Sequence, residues 1–105
     1  MDGLSYAPIS PPKLEQLLIF LAAINGTPPT DARWSTVAEF LDLLDGRAAC
    51  NVAFMVPHAA IRIEAMGWED RAPTPPELER MKELARQGMR DGAFGFATGL
   101  TYPPG

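Results

Sequence analysis

Residues 50–56 read C-N-V-A-F-M-V, a nearly continuous apolar run that Pro57 ends. The shortness of the run favours a strand buried on both faces over a helix. Residues 93–99 read A-F-G-F-A-T-G, and the alternation of bulky and small side chains indicates a second buried strand. Between the two strands, T-P-P-E at residues 74–77 has the spacing of a capping box and begins a helix that Gly92 ends. A helix joining two such strands implies a parallel pair, so the fold class is α/β.

Upstream of this unit the sequence predicts two further helices and a loop. The first helix runs from Lys13 to about Asn25, because apolar residues recur there at three- and four-residue steps, namely Leu14, Leu17, Leu18, Leu21 and Ile24. Residues 27–33 form a proline-rich loop. Ser35 or Thr36 caps the second helix, because T-x-x-E at residues 36–39 has capping-box spacing. Pro57-His58 opens a segment, A-A-I-R-I-E-A-M at residues 59–66, that is expected to form a short helix ended by Gly67.

The strand–helix–strand unit is expected to be part of something larger. Two parallel strands leave open hydrogen-bonding rows and apolar faces, and the predicted helices cover only part of that surface. Residues 1–105 are therefore interpreted as one incomplete unit.

The composition limits the classes of protein to which the chain can belong. The chain has 105 residues, of which 47% are hydrophobic and 21% are charged, and this indicates one soluble globular unit with a cytoplasmic location as the default. The net charge is −4 and the nine Lys and Arg residues are scattered, which argues against nucleic acid as a partner. The longest apolar candidate, residues 17–24, is far shorter than the roughly 18 residues that a membrane span requires, so no membrane partner is expected.

The chain has one cysteine and one histidine, and this limits the chemistry that it can perform. The one cysteine, Cys50, cannot form an internal disulfide and is interpreted as a small buried hydrophobe, with a reactive thiol as the alternative. Because there is one histidine, the chain cannot supply a metal cage of several histidines. Four methionines are interpreted as core residues, namely Met55, Met66, Met81 and Met89.

Sites in α/β sheets form at the carboxyl ends of parallel strands, so the residues after Val56 and Thr98 are the candidates. His58 follows the first strand, where a structural histidine bonded to backbone is the alternative to a functional one. Arg62 can bind an anionic substrate group or pair with a neighbouring carboxylate. Tyr102 can present its hydroxyl to a ligand or pack against the strand end. Asp2 can ligate a cation or serve as a turn residue.

Several strings of the sequence together resemble one family. They are D-G-L-S-Y-A-P at residues 2–8, W-S-T-V-A-E-F-L-D-L-L-D at 34–45, N-V-A-F-M-V-P-H at 51–58, M-G-W-E-D-R-A-P-T at 66–74, E-L-E-R-M at 77–81 and G-A-F-G-F-A-T-G-L-T-Y-P-P-G at 92–105. In order and spacing the chain resembles the N-acyl-D-amino-acid deacylases (D-aminoacylases) of the amidohydrolase superfamily.

The resemblance implies a fold and an activity. It implies a metal-dependent (β/α)8 barrel, of which this chain supplies the end of the second strand and all of the third and fourth strands with their helices. The implied reaction is hydrolysis of the amide bond of N-acyl-D-amino acids, in which a zinc-bound hydroxide attacks the acyl carbonyl. The implied partners are a small N-acylated amino acid and the rest of the barrel, with self-association through open strand edges as an alternative.

The resemblance also implies roles for single residues. Asp2 stands where the family has a metal-ligating cysteine, and a carboxylate can also ligate zinc. Tyr102 matches a tyrosine that lines the substrate pocket, and His58 matches a histidine to which we assign a role in shaping the site. The family's H-x-H pair, the single histidines of the fifth and sixth strands and the aspartate of the eighth strand have no counterparts here. The isolated chain is therefore expected to be inactive.

Two alternatives to the hydrolase fragment remain open from the sequence. One is an interaction or regulatory module derived from such a barrel, which would pair its strand edges with another chain. The other is a small-molecule pocket between His58, Arg62 and Tyr102 without chemistry, which would raise the melting temperature when a ligand binds.

Overall fold

The computed structural model describes residues 4–26 and 33–100 of the chain. Along the chain the described elements are α1 (Pro11–Asn25), α2 (Val37–Leu44), β1 (Met55–Pro57), α3 (His58–Met66), α4 (Pro75–Arg90) and β2 (Gly95–Ala97). None of the helices among these residues is long and apolar enough to cross a membrane.

The two strands lie side by side and run in the same direction. Met55 pairs with Gly95, Val56 with Phe96, and Pro57 with Ala97. The backbone N–H of Phe94 donates to the carbonyl of Phe54 at 2.8 Å, just before the paired residues. The predicted parallel pairing, with helix α4 between the two strands in sequence, is therefore confirmed.

Both strands are shorter than predicted, and the expectation that they are buried on both faces is wrong for this chain. Residues 50–53 are exposed and lie outside β1, and within β1 Met55 is exposed while Val56 and Pro57 are buried. Phe94 is 77% exposed and Phe96 46% exposed. Among the described residues each strand pairs with one neighbouring strand. Its other edge is therefore unpaired, and part of one face is not covered by other side chains.

Cys50 is exposed, which corrects its interpretation as a buried hydrophobe. It lies in the connection that follows α2, before the chain enters β1, and its neighbours Ala49 and Asn51 are exposed as well. The interpretation of the methionines is half right, because Met66 and Met81 are buried, whereas Met55 and Met89 are exposed.

Three of the four predicted helix starts are confirmed, those of α2, α3 and α4. The prediction for α1 is wrong by two residues, because the helix begins at Pro11 and not at Lys13, with a proline in its first turn. The Thr36 side chain caps α2 by accepting a hydrogen bond from the backbone N–H of Glu39. The predicted apolar face of α1 is confirmed for Leu14, Leu17 and Leu21, which are fully buried. Ile24, at the end of the helix, is exposed. Most of the predicted proline-rich loop lies outside the described residues.

The core joins the helices to one face of the strand pair. Its fully buried side chains include Ile9, Leu14, Leu17, Leu21, Val37, Val56 and Ile63. An aromatic cluster closes the side next to α2, because Phe40 lies 5.1 Å from Trp34 and 5.3 Å from Phe54 between ring centroids. The indole N–H of Trp34 donates to the carbonyl of Tyr6 at 2.7 Å, so the segment before α1 is fixed to the same core.

A glycine brings α4 against β1. A Cβ placed on Gly88 would lie 2.6 Å from Cγ2 of Val56 and 3.4 Å from Cγ2 of Val37. The helix therefore packs at a distance that only glycine permits at this position, even though glycine is a poor helix former.

We predict that Gly88→Ala destabilises the protein. Overpacking against the branched Val56 is expected to cost about 1–3 kcal/mol, which exceeds the gain of about 1 kcal/mol in helix propensity. Urea unfolding of the variant measures the difference. In a Val56→Ala background the same substitution should cost much less, because the clashing methyl groups are gone. Equal losses in both backgrounds would contradict the proposed contact.

The start of α4 carries a complete capping box. The backbone N–H of Thr74 donates to Glu77 Oε2 at 2.8 Å, and the backbone N–H of Glu77 donates to Thr74 Oγ1 at 3.5 Å. Arg71 adds a bidentate contact, with both of its terminal nitrogens 2.7 Å from the Glu77 carboxylate oxygens. These donors hold the pKa of Glu77 at about 2, with the Arg71 hydrogen bond as the largest cause.

This capping box predicts an acid-sensitive contribution to stability. Since the folded-state pKa of Glu77 lies below its ordinary value of 4.5, the ionised form favours folding above pH 4.5, and that stability is lost as the pH falls toward about 2. Glu77→Gln should therefore flatten the acid limb of a stability–pH curve. An unchanged slope in Glu77→Gln would refute the assignment.

Candidate functional site at the strand ends

The carboxyl ends of the two strands meet, as the parallel pairing requires. Because Pro57 pairs with Ala97, the first residues beyond the strands are His58 and Thr98. His58 Nδ1 and Thr98 Oγ1 lie 3.1 Å apart, within hydrogen-bonding distance. This polar contact links the two strand ends.

His58 and Thr98 lie on the side of the sheet that faces α4. Val56 packs against Gly88 of α4, and its strand partner Phe96 lines a groove together with His58, Thr98 and three α4 residues, namely Leu78, Met81 and Ala85. The Met55 side chain lies on the opposite face of the sheet, over the backbone of its strand partner Gly95. The His58 ring thus sits among apolar side chains beside the helices.

The surroundings of His58 favour its neutral form. Burial lowers the pKa of the imidazole below its ordinary value of 6.5, and the positive charge of Arg62, one helical turn along α3, lowers it further. The ring lies 6.0 Å from the Phe96 ring between centroids. A neutral imidazole has one nitrogen that accepts and one that donates, so Nδ1 can accept from the Thr98 hydroxyl or donate to it.

Arg62 is buried and holds the loop between α3 and α4. One terminal nitrogen of its guanidinium donates to the carbonyls of Glu69 and Arg71, at 3.0 and 2.8 Å. Neither a carboxylate nor an open pocket is among its described contacts, and its Nε is buried without a hydrogen-bond partner among the described residues. The observed role of Arg62 is therefore to fix the backbone of this loop.

The same loop is fastened to α1 at its other side. The indole N–H of Trp68 donates to Gln16 Oε1 at 3.1 Å, and the Trp68 ring meets Phe20 edge-on at 5.1 Å between centroids. Arg62 and Trp68 together hold the α3–α4 connection in place.

The two remaining candidates, Asp2 and Tyr102, lie outside the described residues. Within residues 4–26 and 33–100 no group of three His, Cys, Asp or Glu side chains is arranged to hold a metal ion. The described part of the chain therefore does not by itself supply the ligands of a zinc centre.

The residue that sequence reasoning undervalued is Thr98. The pattern placed it at a strand end, yet did not identify it as the partner of His58. No sequence signal identifies this pair, because the register that brings His58 beside Thr98 is set by the pairing of Pro57 with Ala97 in the folded sheet.

The His58 environment predicts a measurable titration. As the chain has one histidine, its ring signals are assignable in NMR spectra, and their midpoint should lie below 6.5, the ordinary pKa. Since folding lowers this pKa, the related stability is present above pH 6.5 and declines as the pH falls through the folded-state value. Arg62→Gln should move the midpoint upward, and Arg62→Lys should not. A midpoint at or above 6.5 in the native chain would contradict the burial of the ring.

Comparisons with known proteins identify relatives of the chain. It is 41% identical over 73 residues to a D-aminoacylase of Alcaligenes xylosoxydans xylosoxydans, which covers 69% of this chain and 15% of that relative. It is 36% identical over 103 residues to an N-acyl-D-aspartate deacylase of the same organism, covering 97% of this chain and 20% of the relative. An N-acyl-D-glutamate deacylase from that organism is 39% identical over 59 residues, 56% of this chain and 12% of the relative.

No family model and no solved structure matches the chain. The chain spans a fifth or less of the length of these three relatives. The match to the N-acyl-D-aspartate deacylase includes nearly the whole chain, and with it the strand–helix–strand unit described above. As a partial chain, it belongs to the N-acyl-D-amino-acid deacylase (D-aminoacylase) family.

Proposed function

We propose that the chain is part of a metal-dependent hydrolase that cleaves the amide bond of N-acyl-D-amino acids. The observation that carries the proposal is the match of 97% of the chain to a deacylase, over a segment that contains a parallel β–α–β unit. Two of the relatives named above are named as deacylases of N-acyl-D-aspartate and N-acyl-D-glutamate, and the third is named a D-aminoacylase. The substrate class proposed for the parent protein is therefore a small N-acylated D-amino acid, and its proposed location is the cytoplasm.

The chain is proposed to form neighbouring strands of a (β/α)8 barrel. In this arrangement β1 and β2 are the third and fourth barrel strands, and the segment before α1 follows the second strand. Two features support this placement, namely the parallel pairing and the exposed aromatic side chains of β2. In a closed barrel both edges of every strand are paired, so the open edges here would be covered by the rest of the barrel.

The four candidate residues are proposed to have different roles, in metal binding, in the substrate pocket and in positioning the strand ends and the loop. We propose that Asp2 contributes a metal ligand and that Tyr102 lines the substrate pocket. His58 is proposed to shape the strand ends through Thr98, because its ring lies on the helix side of the sheet. Arg62 is proposed to affect the substrate site by its charge and by fixing the loop, because its guanidinium donates to backbone carbonyls. A zinc ion would take its remaining ligands from outside this chain.

A second candidate function is a non-catalytic interaction module. The observation in its favour is the exposed apolar surface at and beside β2, where Phe94 before the strand and Leu100 after it are both more than 70% exposed. Such a surface with an open strand edge can bind another chain. This module would form a stable oligomer at micromolar concentration and would lack hydrolase activity.

The hydrolase proposal predicts that the isolated chain is inactive and that a chimera is active. N-acetyl-D-amino acids incubated with the purified chain, with or without zinc, should release no free amino acid. The same chain, substituted for the 103 matched residues of the N-acyl-D-aspartate deacylase, should support hydrolysis. In the chimera Asp2→Ala should lower activity by at least about tenfold if Asp2 ligates the metal.

The controls separate the two candidate functions. Asp45→Ala changes an exposed carboxylate at the end of α2 and should leave the chimera's activity unchanged. Hydrolysis by the isolated chain would contradict the proposed incompleteness. A chimera that is folded by circular dichroism, yet inactive, would favour the interaction module.

A further inference from the structure

The backbone beyond β2 has a side-chain anchor at its first residue. β2 ends at Ala97 after three residues, and Thr98 follows it directly. Among the contacts between described residues, the one between Thr98 Oγ1 and His58 Nδ1, at 3.1 Å, is the last side-chain hydrogen bond along the chain. Leu100, two residues further, is 73% exposed. The Thr98 contact is therefore placed to fix the direction in which the chain leaves the sheet.

His58 is a firm support for this anchor. It is the first residue of α3, and the two residues that follow it, Ala59 and Ala60, are almost completely buried. Its ring lies 6.0 Å from the Phe96 ring between centroids. A side chain that is held by packing can hold its hydrogen-bond partner in one position. Thr98 is thus tied to the core of the chain through α3.

The Thr98 side chain transmits this anchoring to its own backbone. Threonine is branched at Cβ, which restricts rotation about χ1, so a hydrogen bond to its hydroxyl also fixes the orientation of the main chain. Valine has the same shape without the hydroxyl, and serine has the hydroxyl without the methyl group. Substitution of Thr98 by each of them therefore separates the hydrogen bond from the shape of the side chain.

The direction of the chain after β2 matters because sites in parallel sheets form at the carboxyl ends of the strands. Tyr102, which is proposed above to line the substrate pocket, is four residues further along the chain than Thr98. A displacement of about 1 Å at a site can cost about a hundredfold in rate, even when the mutated residue is remote from the reacting atoms.

We propose that Thr98 is a positioning residue, which through His58 fixes the direction in which the chain leaves β2 and thereby increases the substrate affinity of the site at the strand ends. The inference rests on the proposed function, since it assigns a role within the same site. It requires no contact between Thr98 and the substrate, because the hydroxyl lies on the side of the sheet that faces α4.

The first experiment measures backbone order in the 105-residue chain and does not depend on hydrolysis. NMR order parameters of the Gly99 and Leu100 amides should fall in Thr98→Val and stay near their native values in Thr98→Ser. His58→Phe removes the same contact from the other side and should have the effect of Thr98→Val. Equal order parameters in all these proteins would overturn the proposal. So would an equal fall in Thr98→Val and Thr98→Ser, since the hydroxyl would then not be the cause.

The second experiment measures KM and kcat in the chimera described above. Thr98→Val should raise KM by about two- to tenfold, the equivalent of one neutral hydrogen bond, with little change in kcat. Thr98→Ser should retain most of the native affinity. Because both variants remove the same contact, Thr98→Val combined with His58→Phe should raise KM no more than either substitution alone.

Thr74→Val is the matched control, because it makes the same chemical change at the cap of α4. It should lower the melting temperature and leave KM unchanged. If Thr98→Val behaves in the same way, the role of Thr98 is purely structural and the proposal is overturned.

The two proposals fail separately. An inactive chimera would refute the proposed reaction, and the order parameters of the 105-residue chain would then decide the positioning role by themselves. An active chimera with an unchanged KM in Thr98→Val would retain the reaction and overturn the role of Thr98.

Discussion

The structure depends on the parallel pairing of β1 with β2, which is only three residues long on each side. So short a ladder does not hold two strands by hydrogen bonds alone, because each bond contributes little net free energy. The crossover helix α4 has to press against the pair, and Gly88 permits this by leaving room for Val56. The packing of α4 against β1 and the pairing of β1 with β2 therefore depend on each other.

This constraint positions the candidate site. Once Pro57 lies beside Ala97, His58 and Thr98 are brought together, and their contact closes the strand ends. The same register places them on the face of α4, where burial and then the charge of Arg62 lower the pKa of the His58 imidazole. Arg62 in turn fixes the loop that leads into the capping box of α4. The site and the crossover helix are therefore built from the same contacts.

Burial is uneven across the described residues. The buried core lies on the side that the chain's own helices cover, whereas Phe94, Phe96 and Leu78 are exposed. The relatives named above are at least five times longer than the matched segments, which supports the proposal that other parts of a longer polypeptide cover these side chains.

The sequence by itself determined three of the four helix starts and the α/β class, because these depend largely on local chemistry. Capping threonines and the apolar period act within a few residues, so Thr36 and Thr74 could be identified from the pattern, whereas the start of α1 at Pro11 was missed by two residues. The extent of the strands, the exposure of Cys50 and Met55 and the pairing of His58 with Thr98 were decided by tertiary structure. Strand length depends on the presence of neighbouring strands, and burial depends on which surfaces meet. Arg62 illustrates the same limit, since its partners are carbonyls seven and nine residues away that only the folded loop brings within reach.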